Sequence, residues 1–159
     1  MNAHVESPPK VGEVMHGPVV SVAADDSLWT AMDVMLGRGL RHLAVVRGET
    51  VQGVLADREL AAVWAMNPLG LKNVRAADAL APNQTFIGPE VDVVAAALRM
   101  RAAGADAFVV VDEARRPLGI VTDHDLLGVL AGLLGGEGEG VGAPAPRYHG
   151  AGHPTLLPD

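Results

Sequence analysis

The sequence predicts an α/β (α+β) chain in which one strand, helix, strand, strand, helix unit occurs twice. Three observations carry that reading. The stretch Gly119-Ile-Val-Thr-Asp-His-Asp-Leu126 compresses an apolar strand end, a polar turn and a helix start into eight residues, and Gly53-Val-Leu-Ala-Asp-Arg-Glu-Leu60 is a weaker copy of it. Leu28, Ala31, Met32, Met35 and Leu36 fall at i, i+3, i+4, i+7 and i+8, the spacing of one apolar helix face. Met35 pairs with Met100 and Gly39 with Gly104 at one constant offset, whereas Gly53/Gly119, Asp57/Asp123, Leu60/Leu126 and Val63/Val129 pair at an offset one residue larger. One residue gained in a hairpin explains the change, because a turn is where a duplicated unit tolerates insertion.

The elements follow in order. Residues 1–10 are polar, carry two prolines and read as a flexible lead-in. The first repeat, 11–66, begins with a turn of helix over Val11 to Met15, broken by Gly17-Pro18 before a strand over Val19 to Val22. Asp25-Asp26-Ser27 offers N-cap acceptors to the helix that follows, and Gly37 and Gly39 end it. Strands over Leu43 to Val46 and Val51 to Leu55 flank the turn Arg47-Gly48-Glu49-Thr50. Asp57-Arg58-Glu59 then opens a helix running through Trp64.

Asn67-Pro-Leu-Gly-Leu71 marks a linker over 67–73, and the second repeat occupies 74–134. It comprises a short helix around Val74 to Leu80, a strand over Thr85 to Ile87 and a helix from Val91 to Ala103 stopped by Gly104. Strands over Phe108 to Val111 and Leu118 to Val121 and a last helix complete it. In the final 25 residues, 135–159, eleven are Gly or Pro, which predicts a flexible tail with too few apolar groups to offset the entropy of ordering.

Composition narrows the function classes. With 49% hydrophobic but only 3% aromatic residues, the core is expected to consist of Val, Leu, Ala and Met. A net charge of −7 argues against a nucleic-acid binder, which needs a basic face. The absence of cysteine excludes disulfides, thiolate metal sites and Cys nucleophiles, and is compatible with a reducing cytoplasm. The first ten residues lack a signal-peptide pattern and the longest apolar run, Leu126 to Leu134, is far short of a membrane span, so a soluble cytoplasmic protein is expected. His4, His16, His42, His149 and His153 show no i, i+4 pairing and no carboxylate cluster, so no metal site is expected. Ser21, Ser27, Thr30 and Asp33 form no nucleophile, base and orienter set, and no enzymatic activity is expected.

The repeats resemble the CBS domain, named after cystathionine β-synthase and usually found as tandem pairs called Bateman modules. The resemblance covers about Val11 to Leu134. It rests on Val14-Met15 before a Pro-Val-Val strand, on the Leu28 to Met35 helix, on Gly39-Leu-Arg-His-Leu-Ala-Val-Val46 and above all on Gly119 to Leu126. It implies two βαββα-type repeats packed with pseudo-two-fold symmetry, leaving two clefts that bind adenosyl compounds such as AMP, ADP, ATP, S-adenosylmethionine or NAD. It also implies a regulatory role without a required cofactor, a homodimer, and an effector protein controlled in trans.

Within that resemblance, Asp125 accepts hydrogen bonds from the ribose hydroxyls, Thr122 adds a hydroxyl, and phosphate lies towards the helix start near His124. Phe86 and Ile87, with Ala105, Asp106, Ala107 and Phe108, form the wall around the base. The residues by themselves also carry a plainer reading. Thr122 followed by Asp125 three positions on is a capping box, His124 suits any exposed first turn, and a hydrophobic core alone would demand Phe86, Ile87 and Phe108. In the first repeat Ala56 replaces the threonine and Glu59 the aspartate. A longer carboxylate and Arg58, a charged donor for phosphate, remain there, so one competent cleft and one degenerate cleft are expected.

Overall fold

A computed structural model describes residues 7–134, so the readings of residues 1–6 and of the tail lie outside the described residues. A first three-stranded sheet contains β1 (Ser21–Ala23), β2 (His42–Arg47) and β3 (Thr50–Ala56), with β1 parallel and β3 antiparallel to the central β2. The second sheet repeats the pattern with β4 (Phe86–Ile87), β5 (Ala107–Val111) and β6 (Pro117–Thr122). Helices α2 (Leu28–Arg38) and α3 (Asp57–Met66) belong to the first repeat, and α5 (Val93–Ala103) and α6 (Asp123–Leu134) to the second. The one-turn helix α1 (Val11–Val14) opens the first repeat, and α4 (Gly70–Asn73) precedes the second. The fold is the mixed α/β, twice-repeated architecture the sequence predicts.

Local chemistry sets the helix boundaries. Ser27 Oγ accepts the Thr30 N–H (3.2 Å) at the start of α2, and Asp92 Oδ1 accepts the Ala95 N–H (2.8 Å) at the start of α5. Gly39 and Gly104, both with φ above 60°, take the left-handed conformation that closes each helix. Gly37 does not end α2. It remains inside the helix, because only the left-handed position two residues later terminates the hydrogen-bond ladder. The segment expected as a helix over Val74 to Leu80 forms a single 3-10 turn at Ala76–Ala79, and the first strand starts at Ser21 rather than Val19.

Both hairpins carry a bulge at the same place. Val45 faces Gly53 but Val46 faces Val51, and Val110 faces Gly119 but Val111 faces Pro117. Four residues separate Val46 from Val51 and five separate Val111 from Pro117, which locates the extra residue in the second turn. Arg115 takes the left-handed conformation in that longer turn (φ 60°), whereas Gly48 does so in the shorter one (φ 62°). The turn is stapled by Asp112, whose carboxyl is held below its usual range chiefly by the Arg116 backbone N–H (2.8 Å) and also by the Arg116 guanidinium (2.9 Å).

Packing does not follow chain order. Val11 N–H bonds Val91 O (2.7 Å), Gly12 N–H bonds Pro89 O (2.9 Å) and Val93 N–H bonds Pro9 O (2.9 Å), so the lead-in to the first repeat docks on the second. Sixty-five residues on, Ala76 N–H bonds Asp26 O, Ala77 N–H bonds Ala24 O and Leu28 N–H bonds Val74 O, docking the lead-in to the second repeat on the first. The exchange is bond for bond. Val11 completes one core with Ile87, Phe108 and Val121, while Leu71 and Ala76 complete the other with Leu28, Leu43 and Leu55. A third core, built on Ala44, Val51, Val54, Ala107, Val109 and Val111, joins the two sheets.

Candidate functional site

The pseudo-symmetric joint leaves two small clefts, each walled by both repeats. One, of about 180 Å³, is lined by His16, Val20, Leu40, Arg41, His42 and Thr122, with Gly39 and Ile120 beside them. The other, of about 110 Å³, is lined by Thr85, Ala105, Asp106, Ala56, Arg58 and Glu59, with Gly104 and Val54. The duplication maps one set onto the other: His16 onto Ala81, Val20 onto Thr85, Leu40 onto Ala105, Arg41 onto Asp106 and Thr122 onto Ala56. Each cleft therefore takes its strand-to-helix turn from one repeat and its helix-to-strand turn from the other.

Asp125 does not itself line the Thr122 cleft, but its carboxylate is fixed by three groups on two residues that do, Thr122 and His16. Thr122 donates to Oδ2 through its backbone N–H (2.8 Å) and its hydroxyl (3.0 Å), and His16 Nδ1 lies 3.1 Å from the same oxygen. The Asp125 N–H in turn donates to Thr122 Oγ1 (3.3 Å), so the capping box is formed in full. All three contacts fall on Oδ2, leaving Oδ1 without a partner among the described residues. The Asp125 side chain is one-fifth exposed, so its free oxygen is open to solvent or to a ligand. In the first repeat only half the box exists: the Ala56 N–H donates to Glu59 Oε2 (2.8 Å), and alanine has no hydroxyl to answer.

The structure brings Thr122 and Asp125 together and gathers Arg58, Glu59, Ala105 and Asp106 at the other cleft. His124 is exposed in the first turn of α6, where its N–H bonds Asp123 Oδ1 (2.8 Å). Ile87 and Phe108 are buried in the second repeat's core and Ala107 between the sheets. Phe86 packs beside the inter-sheet core, and the Arg115 guanidinium stands 4.3 Å from its ring centre. None of these last five lines the Thr122 cleft.

The wall of that cleft instead comes from the first repeat, through Val19, Val20 and Gly39 to His42, with His16 ahead of them. Sequence reasoning missed these residues because it assigned each turn a wall from its own repeat. The equivalence of Gly39-Leu-Arg-His42 with Gly104-Ala-Asp-Ala107 was readable as a pattern, but the crossing of repeats was not. Among the described residues no group of three or more His, Asp or Glu side chains is placed to hold a metal ion. No described helix is long and apolar enough to cross a membrane.

Comparisons with known proteins agree with this fold. A solved CBS domain pair of protein MJ0100, in complex with 5'-methylthioadenosine and S-adenosyl-L-methionine, superposes with a TM-score of 0.66 at 20% identity, covering 80% of this chain and 99% of that one. The CBS domain of a bacterial CNNM/CorC family Mg2+ transporter in complex with ATP gives 0.65 at 20% identity, covering 78% and 88%. Among curated proteins, an uncharacterized 33.4 kDa protein in a ribosomal RNA operon of Thermofilum pendens is 30% identical over 146 residues, 85% of this chain and 48% of that protein. A homoserine O-acetyltransferase of Methanococcoides burtonii is 32% identical over 117 residues, 73% of this chain and 23% of that protein. This chain thus spans about half of the first relative and about a quarter of the second. The family model for the CBS domain matches twice, at residues 11–65 and 76–132, and the chain belongs to the CBS domain family as a tandem pair, a Bateman module.

Proposed function

We propose that this CBS pair is a non-enzymatic regulatory module of the cytoplasm that senses an adenosyl ligand in the Thr122 cleft and modulates an effector protein in trans. AMP, ADP, ATP, S-adenosylmethionine and NAD belong to the ligand class. The observation that carries the reading is the Asp125 carboxylate, held through one oxygen by Thr122 and His16, which both line a cleft between repeats, with the other oxygen unpartnered among the described residues. A partly buried carboxylate held in one orientation suits the paired hydroxyls of a ribose, since it accepts charge-assisted hydrogen bonds without reorganising. Bound methylthioadenosine, S-adenosylmethionine and ATP in similar CBS domains support the choice of class.

The outward helix faces support assembly as a homodimer. Trp29 and Trp64 are half exposed on α2 and α3, and the duplication places Val94 and Leu130, also half exposed, at the matching positions of α5 and α6. An apolar groove of about 630 Å³ runs between α5 and α6, lined by Val94, Ala97, Met100, Leu126, Leu127 and Leu130.

A second reading rests on the completeness of the capping box, which satisfies Thr122 and half of Asp125 with no ligand at all. On that reading the pair is a ligand-independent scaffold that dimerises through its repeats. A thermal-shift screen against AMP, ATP, S-adenosylmethionine and NAD separates the two. A ligand at a hundred times its dissociation constant adds about 2.7 kcal/mol to the folded state and raises the midpoint by several degrees. Silence across all four favours the scaffold.

A further inference from the structure

We propose that the apolar groove between α5 and α6 is the seat of a segment of the chain's own tail, residues 154–157, with Leu156 and Leu157 entering it. The first repeat supplies the pattern. There α4 lies against both α2 and α3, and its Leu71 is fully buried in one core with Leu28, Met35, Leu60 and the partly buried Val63. The duplication carries those four neighbours onto Val93, Met100, Leu126 and Val129, and all four line the groove of about 630 Å³. The groove is therefore the second repeat's version of the place that Leu71 fills.

Among the described residues no side chain enters it as Leu71 enters the first. Leu60 is buried, whereas Leu126 is only partly covered. The second groove is also wider, since Met32 and Leu40 become Ala97 and Ala105. Nor does the chain carry a leucine at either repeat-equivalent position. Sixty-five residues before Leu71 stands Glu6, and sixty-six after it stands Glu137. A carboxylate cannot replace the leucine on so apolar a floor, so an apolar occupant has to come from elsewhere.

Leu156 and Leu157 are the only leucines beyond α6, and Pro154 stands three residues before Leu157 as Pro68 stands three before Leu71. Residues 135–156, rich in Gly and Pro, separate Leu134 from Leu157. A Gly-rich chain of that length spans on the order of 25 Å, while Leu126 lies about 12 Å along α6 from Leu134, so the tether reaches the groove. Tethering also raises the local concentration of the segment, which lowers the cost of docking so short a piece. Val94 and Leu130 form the rim, as Trp29 and Trp64 do in the first repeat, and stay free for a second copy. Gly104 and Ala105 line both the groove and the Glu59 cleft, so a seated tail backs the turn that walls that cleft.

The chain has no cysteine, so a single nitroxide label can be attached through Gly152→Cys, beside the segment, in the whole chain. In its NMR spectrum the methyl signals of Ala97, Leu126 and Val129 are expected to lose most of their intensity, while those of Leu28 and Leu60 keep theirs. Adding Leu156→Ser/Leu157→Ser, which changes no residue of the folded repeats, is expected to restore the groove signals. Groove signals that stay intact with the leucines present, or that are quenched equally with the serines, overturn the proposal. So does quenching seen only when the nitroxide and the observed methyls are on separate chains of a mixed sample, which would assign the segment to a second copy.

Discussion

Gly53 shows how single positions hold the two repeats against each other. A Cβ added there would stand 2.7 Å from Thr85 Oγ1, the hydroxyl that accepts the Val54 N–H (2.8 Å) in a buried setting. Gly119 occupies the equivalent place in the second repeat, where a Cβ would meet Met15 Sδ at 2.7 Å and His16 O at 3.1 Å. Both glycines exist because a neighbouring segment passes directly over the strand. Neither has a positive φ, so the requirement is space and not backbone conformation. Gly53→Ala is expected to displace the Thr85 hydroxyl and to destabilise the fold by about 1–3 kcal/mol through overpacking and a weakened buried hydrogen bond. Urea denaturation measures it. A loss below about 0.5 kcal/mol would mean that Thr85 moves freely, contrary to this packing.

Among the elements, the long helices were the most legible, because their apolar period and the Ser27, Gly39 and Gly104 boundary signals are local, whereas Asp92, inside the helix expected from Val91, is the cap of α5. The hairpin bulges at Gln52 and Leu118 were not, since a bulge depends on the partner strand, and the repeat offset reported only that one turn is longer. The exchanged lead-ins were also hidden. A short segment such as Val11–Val14 has no period that names the surface it covers. The helix faces carry a prediction at this scale. Leu127 and Leu130 sit exposed on α6 beside the apolar groove, and burying them between two copies would account for a face that water should disfavour. Sedimentation is expected to show a dimer, and Leu127→Glu/Leu130→Glu is expected to shift it to a monomer at micromolar concentration. A strictly monomeric wild type, with and without an adenosyl ligand, would contradict the homodimer.

For the molecule as a whole, the duplication told more than any motif. It announced two repeats and two turns of unequal quality, and the unequal turns reappear as a complete capping box at Thr122 and a half box at Ala56. What it could not announce is that each turn faces a wall from the other repeat, because that follows from how two sheets pack and not from any spacing along the chain. Thr122, Asp125, Glu59 and Arg58 were therefore identifiable as chemistry, while His16, Val20 and the stretch from Gly39 to His42 emerged only in three dimensions. The two clefts share one origin and differ in their acids and hydroxyls.

The claim that Asp125 is the ribose acceptor of a sensing cleft is tested most directly by titrating AMP, ATP and S-adenosylmethionine into wild type, Asp125→Ala and Glu59→Ala. Asp125→Ala removes a charge-assisted pair of hydrogen bonds, each worth about 1.5–3 kcal/mol, and is expected to weaken binding at least tenfold, with Glu59→Ala close to wild type. Binding that survives Asp125→Ala but is lost in Glu59→Ala would contradict it.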